Sequence, residues 1–254
     1  MKLPQTPSFR LDGRCALVAG ASSGIGFGCA VAMAEAGAHV ICVARRKDQL
    51  EVAVSAIGAK GYSAEALLLD ITDLNSVATV IAGLRQLNIY VNSAGFARHS
   101  PALDTTDADF DAVMAINWKA AHFSAWEAAR KMIEGKRGGS IITISSQMGH
   151  VGGVDRAVYS ASKHAVEGMT KAMAIEWGPH SIRVNTICPT FIRTPLTEPT
   201  FSNPERLSWI KSKIKLPRVG EVEDVMGAAV FLASDASAMI TGSALLIDGG
   251  WTAG

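Results

Sequence analysis

The chain has 254 residues, a length typical of one α/β domain, and its 24 basic and 23 acidic side chains leave a formal net charge of +1. Hydrophobic residues make up 48% of the sequence, which supplies a large core and excludes a disordered chain. The balanced charge offers no basic surface to nucleic acid. Residues 15–34 carry no charge, but glycine and serine interrupt this stretch, so it is not a membrane span. We therefore expect a single domain over residues 1–254, with neither a nucleic-acid partner nor a membrane partner.

Four cysteines are scattered without the close spacing of a zinc site or a disulfide framework: Cys15, Cys29, Cys42 and Cys188. We expect them to be small buried side chains in a reducing compartment, with no metal bound. The first thirteen residues contain two prolines and no apolar signal core. The expected location is therefore the cytoplasm.

Short apolar runs alternate with helical patterns along the chain. The runs are mostly rich in Val, Ile and Leu and nearly continuous, which is typical of parallel strands buried on both faces. Strands are predicted at 14–19, 39–44, 64–69, 89–92, 140–145, 183–187 and 244–247, and helices at 24–36, 47–59, 76–85, 107–134, 159–177 and 222–232. This alternation predicts βαβ crossovers and a doubly wound α/β sheet. Residues 194–220 contain four prolines and one short helical pattern near 204–215, and we expect a lid or binding loop there.

A glycine-rich turn follows the first predicted strand and opens the first predicted helix. Gly20, Gly24 and Gly26 let the backbone approach a ligand, and the helix N-terminus adds unpaired N–H groups and a positive dipole end. The spacing GxxxGxG differs from the common GxGxxG fingerprint. Its place directly after the first strand nevertheless predicts a site for a dinucleotide pyrophosphate, with a plain tight turn as the alternative.

The end of the second predicted strand indicates which dinucleotide is preferred. Position 44 is an alanine, where an acidic residue would hold the adenosine ribose hydroxyls of NAD, and Arg45 and Arg46 follow. Because a guanidinium suits a 2′-phosphate, the sequence favours NADP(H) over NAD(H). The alternative is a solvated basic start to the next helix. Asp70 is either an acceptor for the adenine amino group or a turn residue.

Tyr159 and Lys163 are four residues apart on a predicted helix, so they share one face. The ammonium favours the phenolate form, which makes Tyr159 a candidate acid/base near neutral pH. Upstream, the fifth predicted strand ends at Ser145 and Ser146. Because the end of such a strand opens onto the ligand crevice, a hydroxyl there can donate to a substrate oxygen.

These motifs, in this order and at this spacing, resemble those of the classical short-chain dehydrogenases/reductases over residues 13–251. The matching positions are Gly20, Gly24, Gly26, Leu69, Asp70, Asn92, Gly95, Asn117, Ser145, Ser146, Tyr159, Lys163, Arg183, Asn185, Cys188, Pro189, Asp248 and Trp251. The resemblance implies one domain with a Rossmann-type sheet of seven parallel strands. It also implies a homotetramer paired through the long helices near 107–134 and 159–177.

The resemblance also implies roles for individual residues. Tyr159 is the implied general acid/base, and Lys163 binds the nicotinamide ribose and tunes Tyr159. Ser146, thirteen residues before Tyr159, orients the substrate oxygen, and Asn117 holds a water that relays protons to Lys163. The implied cofactor-binding positions are Gly20, Ser22, Ser23, Gly24, Ile25, Gly26, Arg45, Arg46, Asp70, Ile71, Asn92, Ala94, Gly95, Tyr159, Lys163, Pro189, Ile192 and Thr194.

The sequence departs from the family pattern at several places. Ala19, Ser93 and Thr190 replace the usual Thr, Asn and Gly. We therefore expect a changed hydrogen bond between neighbouring strand ends at 19 and 93, and added bulk beside the nicotinamide at 190. The stretch 70–92 is short, so its helix should be short or irregular.

The substrate pocket is expected among side chains near these motifs. Candidates are Phe96, Arg98, His99, Gln147, Met148, His150 and Arg156, together with residues 194–220. Residues 193–218 carry six basic and two acidic side chains, which would attract an anionic substrate. The alternative is a solvated lid over an apolar pocket formed by Phe96, Met148, Phe191 and Trp209.

The resemblance implies an NADP(H)-preferring oxidoreductase that interconverts a secondary alcohol and a ketone. The runs at 220–225 and 248–252 are similar to those of members acting on sugar acids and polyols, of the gluconate 5-dehydrogenase kind. Two alternatives stay open. One is a 3-oxoacyl thioester reductase, and the other is a catalytically idle nucleotide-binding protein of the same fold.

Overall fold

Seven parallel strands form one sheet with helices on both faces. In the computed structural model, which describes residues 1–254, the strands are β1 (Cys15–Ala19), β2 (His39–Ala44), β3 (Ala64–Leu68), β4 (Ile89–Asn92), β5 (Gly139–Ile144), β6 (Ile182–Pro189) and β7 (Ala244–Ile247). Their spatial order is β3-β2-β1-β4-β5-β6-β7. The chain changes direction across the sheet between β1 and β4, so a ligand crevice is expected outside their carboxyl ends. The predicted doubly wound fold is confirmed.

Nine α-helices connect and cover the strands. They are α1 (Gly24–Glu35), α2 (Lys47–Gly58), α3 (Leu74–Gly83), α4 (Asp107–Met114), α5 (Ala121–Gly135), α6 (Ala157–Trp177), α7 (Glu198–Phe201), α8 (Pro204–Lys213) and α9 (Glu223–Ala233). None of them combines the length and the apolar character needed to cross a bilayer.

The core lies on both faces of the sheet because the central strands carry apolar side chains in both directions. On one face, Ala30 and Met33 of α1 pack with Ala229 of α9. On the other face, Ile81 of α3 and Met132 of α5 belong to a second cluster. Small side chains let the helices pack closely against both faces of the sheet. This dense packing fixes the positions of the strands and of their ends.

The outer strands differ from the prediction of burial on both faces. Leu68 of β3 is 59% exposed and Leu246 of β7 is 41% exposed. Each of these strands has only one neighbour in the sheet, so less of its surface is covered. The expectation holds for β1, β2, β4 and β5, whose residues are almost all buried.

The predicted continuous helix 107–134 is wrong in its middle. A π-helical turn, Ala115–Ala120, separates α4 from α5. The buried Asn117 lies in this turn, and its side chain is hydrogen-bonded to Phe96 and Ser162 rather than facing solvent. The prediction of a short helix in the stretch 70–92 is confirmed, because α3 has ten residues and the backbone is extended at Leu84.

The excursion 194–220 leaves and rejoins the sheet at one point. Ile192 and Gly220 form a parallel bridge at its base, and α7 and α8 lie between them. Its own small core contains Phe201, Ile210 and Val219. The segment is therefore a packed unit above the carboxyl ends of the strands.

Candidate active site

A cleft of about 570 Å³ opens at the carboxyl ends of the strands, near the switch point between β1 and β4. All the cofactor-binding positions named from the sequence line it except Asn92. Of the four catalytic candidates, Ser146, Tyr159 and Lys163 line it, whereas Asn117 is buried behind its wall. The sequence did not identify several lining residues that belong to no motif: Val43, Thr72 and Ile116. Leu196 and Thr197 also line the cleft, and they belong to the excursion 194–220 that the sequence named as a binding loop.

The glycine-rich turn leads directly into α1. Gly20 has φ +80°, and a Cβ there would lie 2.9 Å from the Ala94 nitrogen. A Cβ on Gly26 would lie 2.3 Å from the Gly20 carbonyl oxygen. No side chain caps the helix and its first turn has no acidic residue, so its free N–H groups are available to a phosphate. The turn thus requires glycine for its own packing and presents an anion site at the cleft.

Arg45 and Arg46 point to different partners at the adenosine end of the cleft. One terminal nitrogen of Arg46 donates to Ser22 Oγ (3.3 Å) and Ser23 Oγ (3.2 Å). Arg45 lies 3.5 Å from Asp70 Oδ2, and both side chains are exposed. Both guanidinium groups line the cleft, where they form a basic edge beside the glycine-rich turn.

Asp70 is a turn residue. Its Oδ1 accepts from the backbone nitrogen (2.9 Å) and the hydroxyl (2.8 Å) of Thr72. Partial burial opposes ionisation, but the hydrogen bonds from Thr72 and the charge of Arg45 hold the pKa of Asp70 below its ordinary value. The turn role considered from the sequence is therefore confirmed, and the side chain still faces the cleft.

Tyr159 and Lys163 lie one turn apart near the start of α6. Lys163 is only 4% exposed, and its Nζ donates to the Ile144 carbonyl at 3.0 Å and lies 5.7 Å from the centre of the Tyr159 ring. Ser146 Oγ accepts from the Met148 nitrogen at 3.1 Å, which leaves its own proton free to donate. A phenol, an ammonium and a hydroxyl donor therefore border one cleft.

Asn117 joins three parts of the site. Its Oδ1 accepts from the Phe96 nitrogen (2.8 Å), and its Nδ2 donates to the Phe96 carbonyl (2.8 Å) and to Ser162 Oγ (3.1 Å). A Cβ on Gly95 would be 3.7 Å from Asn117 Oδ1 and 3.9 Å from Lys163 Nζ. The Asn117 side chain thus holds the loop after β4 against α6, beside Lys163.

The family departures change little of this framework. The Ser93 nitrogen donates to the Ala19 carbonyl at 2.9 Å, so the two strand ends are joined through the main chain. Thr190 lines the cleft, and its Oγ1 is buried without a hydrogen-bond partner. Asn92 Oδ1 accepts from Ala94, while its Nδ2 is likewise buried and unpartnered.

A buried polar cluster behind Ser146 escaped the sequence analysis. Glu167 is 6% exposed, and it accepts from Thr186 Oγ1 at 2.9 Å and from Cys188 Sγ at 3.3 Å. His150 Nε2 lies 3.8 Å from the same carboxylate. His150 therefore faces Glu167 rather than lining the cleft. The one sequence signal was that Glu167 follows Lys163 by four residues, on the same face of α6.

The other predicted pocket residues separate into two groups. Phe96 lines the cleft, whereas Met148 and Gln147 are buried and Arg98 lies 3.5 Å from Asp109. His99 packs edge-on against Tyr159, with ring centres 5.8 Å apart, and hydrogen-bonds Arg156. Phe191, Trp209 and Trp251 form an aromatic cluster nearby. Of the four residues of the alternative apolar pocket, Phe96 lines the cleft, Met148 is buried, and Phe191 packs against Trp209.

The excess positive charge of residues 193–218 is paired only in part. Arg193 lies 3.6 Å from Glu198 and 3.4 Å from Glu221, and Arg218 forms a two-pronged pair with Asp224. The other four cations of the segment, Arg206, Lys211, Lys213 and Lys215, form no ion pair.

The chain is similar to known proteins over nearly its full length. The profile of a family described as enoyl-(acyl carrier protein) reductase matches residues 20–252. Gluconate 5-dehydrogenase from Gluconobacter oxydans is 36% identical over 248 residues, with 96% of each chain covered. D-Threitol dehydrogenase from Mycolicibacterium smegmatis is 38% identical over 248 residues, with 96% of this chain and 95% of the relative covered.

Solved structures agree with the fold. A gluconate 5-dehydrogenase from Burkholderia cenocepacia, in complex with NADP and tartrate, matches with a TM-score of 0.93 and 32% identity over 97% of this chain and 98% of that one. The chain belongs to the short-chain dehydrogenase/reductase family. It is an oxidoreductase of the classical type that acts on CH–OH groups.

Proposed function

We propose that the protein interconverts a secondary alcohol and a ketone in a small sugar acid or polyol and prefers NADP(H). The observation that carries this proposal is the joint placement of Ser146, Tyr159 and Lys163 along the cleft. The named activities of the gluconate and threitol relatives support the substrate class. A 3-oxoacyl thioester reductase and an idle nucleotide-binding protein are the competing outcomes of the test below.

The residues of the cleft suit a dinucleotide. The uncapped start of α1 presents free N–H groups to a pyrophosphate, and Arg45 and Arg46 suit a 2′-phosphate beside it. Pro189, Ile192 and Thr194 also line the cleft, and they would border a nicotinamide ring. When bound, NADP(H) supplies or accepts the hydride. The NADP bound in the Burkholderia relative supports this preference.

In the proposed mechanism, two side chains act on the substrate oxygen. The Ser146 hydroxyl donates a hydrogen bond to it, because Oγ accepts from the Met148 nitrogen and its own proton is free. The Tyr159 phenol gives its proton to this oxygen during reduction and removes it during oxidation. The Lys163 ammonium would hold the nicotinamide ribose, and its charge stabilises the phenolate left on Tyr159. Asn117 holds the loop at Phe96 against α6, and the water that it would bind relays protons to Lys163.

We also propose a homotetramer. Large apolar side chains remain exposed on the helices named for its contacts: Phe110, Trp118, Trp126 and Ile175 are 42–79% exposed. Such side chains in one region favour burial in an assembly. Light scattering on the purified protein measures the mass that decides this point.

The cysteine chemistry supports a reducing compartment such as the cytoplasm. All four thiols are free and buried. Burial raises the pKa of Cys29 and of Cys42 to about 12, so these thiols stay protonated and unreactive. Fractionation of the cells that produce the protein tests its location.

The test of the chemistry is Tyr159→Phe, which keeps the ring and removes the exchangeable proton. We expect kcat to fall roughly 10²–10⁴-fold while NADPH binding, followed by its fluorescence, is retained. Turnover is measured with matched sugar acids, polyols and a 3-oxoacyl thioester. Near-normal turnover in Tyr159→Phe contradicts the role of Tyr159. If the parent protein turns over the thioester fastest, the 3-oxoacyl thioester reductase is favoured. If the parent protein turns over no substrate, the idle nucleotide-binding protein is favoured.

A further inference from the structure

Arg156 lies beside the proposed active site and has no carboxylate partner. Arg156 immediately precedes α6, three residues before Tyr159, and it is partly buried. Its one side-chain hydrogen bond runs from NH1 to His99 Nε2 at 2.6 Å. The guanidinium carbon lies 5.2 Å from the centre of the Phe191 ring. Most of the five N–H groups of this guanidinium therefore have no protein acceptor.

Several other arginines around the cleft lie near acids, whereas Arg46 is hydrogen-bonded to Ser22 and Ser23. Arg45 lies near Asp70, Arg193 near two glutamates, and Arg218 is paired with Asp224. Asp155 precedes Arg156 in the chain, and its backbone is left-handed, with φ +59°. Its carboxylate forms no ion pair with Arg156. A partly desolvated cation left in this way is costly unless a ligand pairs with it.

His99 fixes the direction of Arg156. Because Nε2 accepts from the guanidinium, the ring proton lies on Nδ1 and the imidazole is neutral. Partial burial and the charges of Arg156 and Arg206 lower the pKa of His99 to about 4, so it stays neutral at physiological pH. The same ring packs edge-on against Tyr159, with centres 5.8 Å apart. His99 thus bridges the cation and the proposed proton donor.

We infer that Arg156 binds the carboxylate of a small sugar-acid substrate whose carbinol or carbonyl carbon lies at Tyr159. A planar fork of N–H donors matches a carboxylate through two charge-assisted hydrogen bonds. The N-terminal end of α6, which has no acidic residue in its first turn, adds a positive dipole end on the same side. A neutral polyol interacts more weakly than a carboxylate with both the guanidinium and the positive end of α6. Arg156 would therefore select acids over their uncharged counterparts.

This inference rests on the proposed function, since it names the substrate class of the same site. The test compares aldonates and alditols of equal chain length, such as D-gluconate and D-glucitol, with NADP⁺. The proteins are the parent chain, Arg156→Met, Arg156→Lys and a control, Arg137→Met, in which an exposed arginine just before β5 loses the same charge. Melting temperature and NADPH binding verify that each variant is folded.

We expect Arg156→Met to lower kcat/KM for the acid about 30-fold and to change that for the alditol by less than about threefold. Arg156→Lys keeps the charge without the fork and should fall between, while Arg137→Met should match the parent. Equal losses for acid and alditol in Arg156→Met, or a parent enzyme with no preference for the acid, would overturn the inference.

A binding measurement separates this inference from the chemistry. Calorimetric titration of the NADP⁺ complex with tartrate, a small dicarboxylate probe, needs no turnover. Tartrate should bind the parent and Arg137→Met but bind Arg156→Met at least about tenfold more weakly. If tartrate binds in this pattern while no sugar acid is oxidised, the proposed function fails and the carboxylate site stands. Undiminished binding to Arg156→Met, or none to the parent, rejects the site itself.

Discussion

Arg45 and Arg46 are neighbours in sequence, but their surroundings give them different weights in coenzyme selection. Arg46 is held by Ser22 and Ser23 of the glycine-rich turn, so its charge lies beside the proposed pyrophosphate site. Arg45 is more exposed and shares its field with Asp70. A 2′-phosphate between the two arginines would compete with Asp70 for Arg45. Arg46 has no acidic partner, so the phosphate would meet no such competition there.

Coenzyme preference is therefore predicted to depend on these two positions. Ala44→Asp combined with Arg45→Ser introduces a carboxylate and removes a cation, so the ratio of kcat/KM for NADPH to that for NADH should fall about tenfold or more. Arg46→Ser alone should lower the same ratio, because its guanidinium has no competing carboxylate. Steady-state kinetics with both coenzymes measures the change. A parent protein that binds NADH more tightly than NADPH would show that the arginines do not select the coenzyme.

Local motifs allowed the residues of the site to be named in advance, whereas their long-range partners did not follow from the sequence. The spacing of Tyr159 and Lys163 and the position of Gly20 after a strand are readable within a few residues. The bond from Arg156 to His99 spans 57 positions, and that from Asn117 to Ser162 spans 45. No local pattern encodes these pairs, since each depends on how β4, α4 and α6 meet.

Among the elements, the π-helical turn Ala115–Ala120 is where local periodicity failed. The spacing of apolar residues through 107–134 matches an ordinary α-helix. The extra residue of the π-helical turn therefore cannot be detected from this spacing. The turn exists because Asn117 is hydrogen-bonded to the Phe96 backbone at both its nitrogen and its oxygen. The bounds of the strands, by contrast, were predicted to within a residue or two, because buried parallel strands have a distinctive composition.

The turn gives a prediction at this scale. Asn117→Ala leaves the Phe96 backbone groups without partners in a site where Asn117 is only 2% exposed. We expect the free energy of unfolding to fall by about 2–3 kcal/mol and activity to fall with it, because Lys163 loses its neighbour. Ser162→Ala removes one of the three bonds and should cost only about 1 kcal/mol. Urea denaturation and turnover report both effects, and equal stability losses in the two variants would contradict the role given to the Phe96 bonds.

On the scale of the whole molecule, ion pairs connect the excursion 194–220 to the rest of the fold. Arg193, before its start, reaches Glu221 beyond its end, and Arg218 reaches Asp224 in α9. The Lys215 nitrogen also donates to the Gly249 carbonyl at 2.8 Å. Thr194 and Leu196 of this segment line the cleft. The lid role expected for residues 194–220 stays a prediction.

The pair between Arg218 and Asp224 predicts how stability depends on pH. Hydrogen bonds from Arg218 and from the Glu221 nitrogen lower the pKa of Asp224 to about 2. In the unfolded chain this carboxyl has a pKa of about 3.9, so the pair stabilises the fold above that pH and the contribution is lost as the pH falls towards 2. Since the Arg218 side chain is 59% exposed, solvent screens the pair and keeps its contribution small. Asp224→Asn should therefore be less stable than the parent from pH 7 down to about pH 5, and the difference should shrink below about pH 4.

Urea denaturation across this range, repeated in an Arg218→Met background, measures the coupling between the two side chains. A difference that persists unchanged in that background would mean that Asp224 stabilises α9 without Arg218. A difference that grows as the pH falls would contradict the lowered pKa of Asp224.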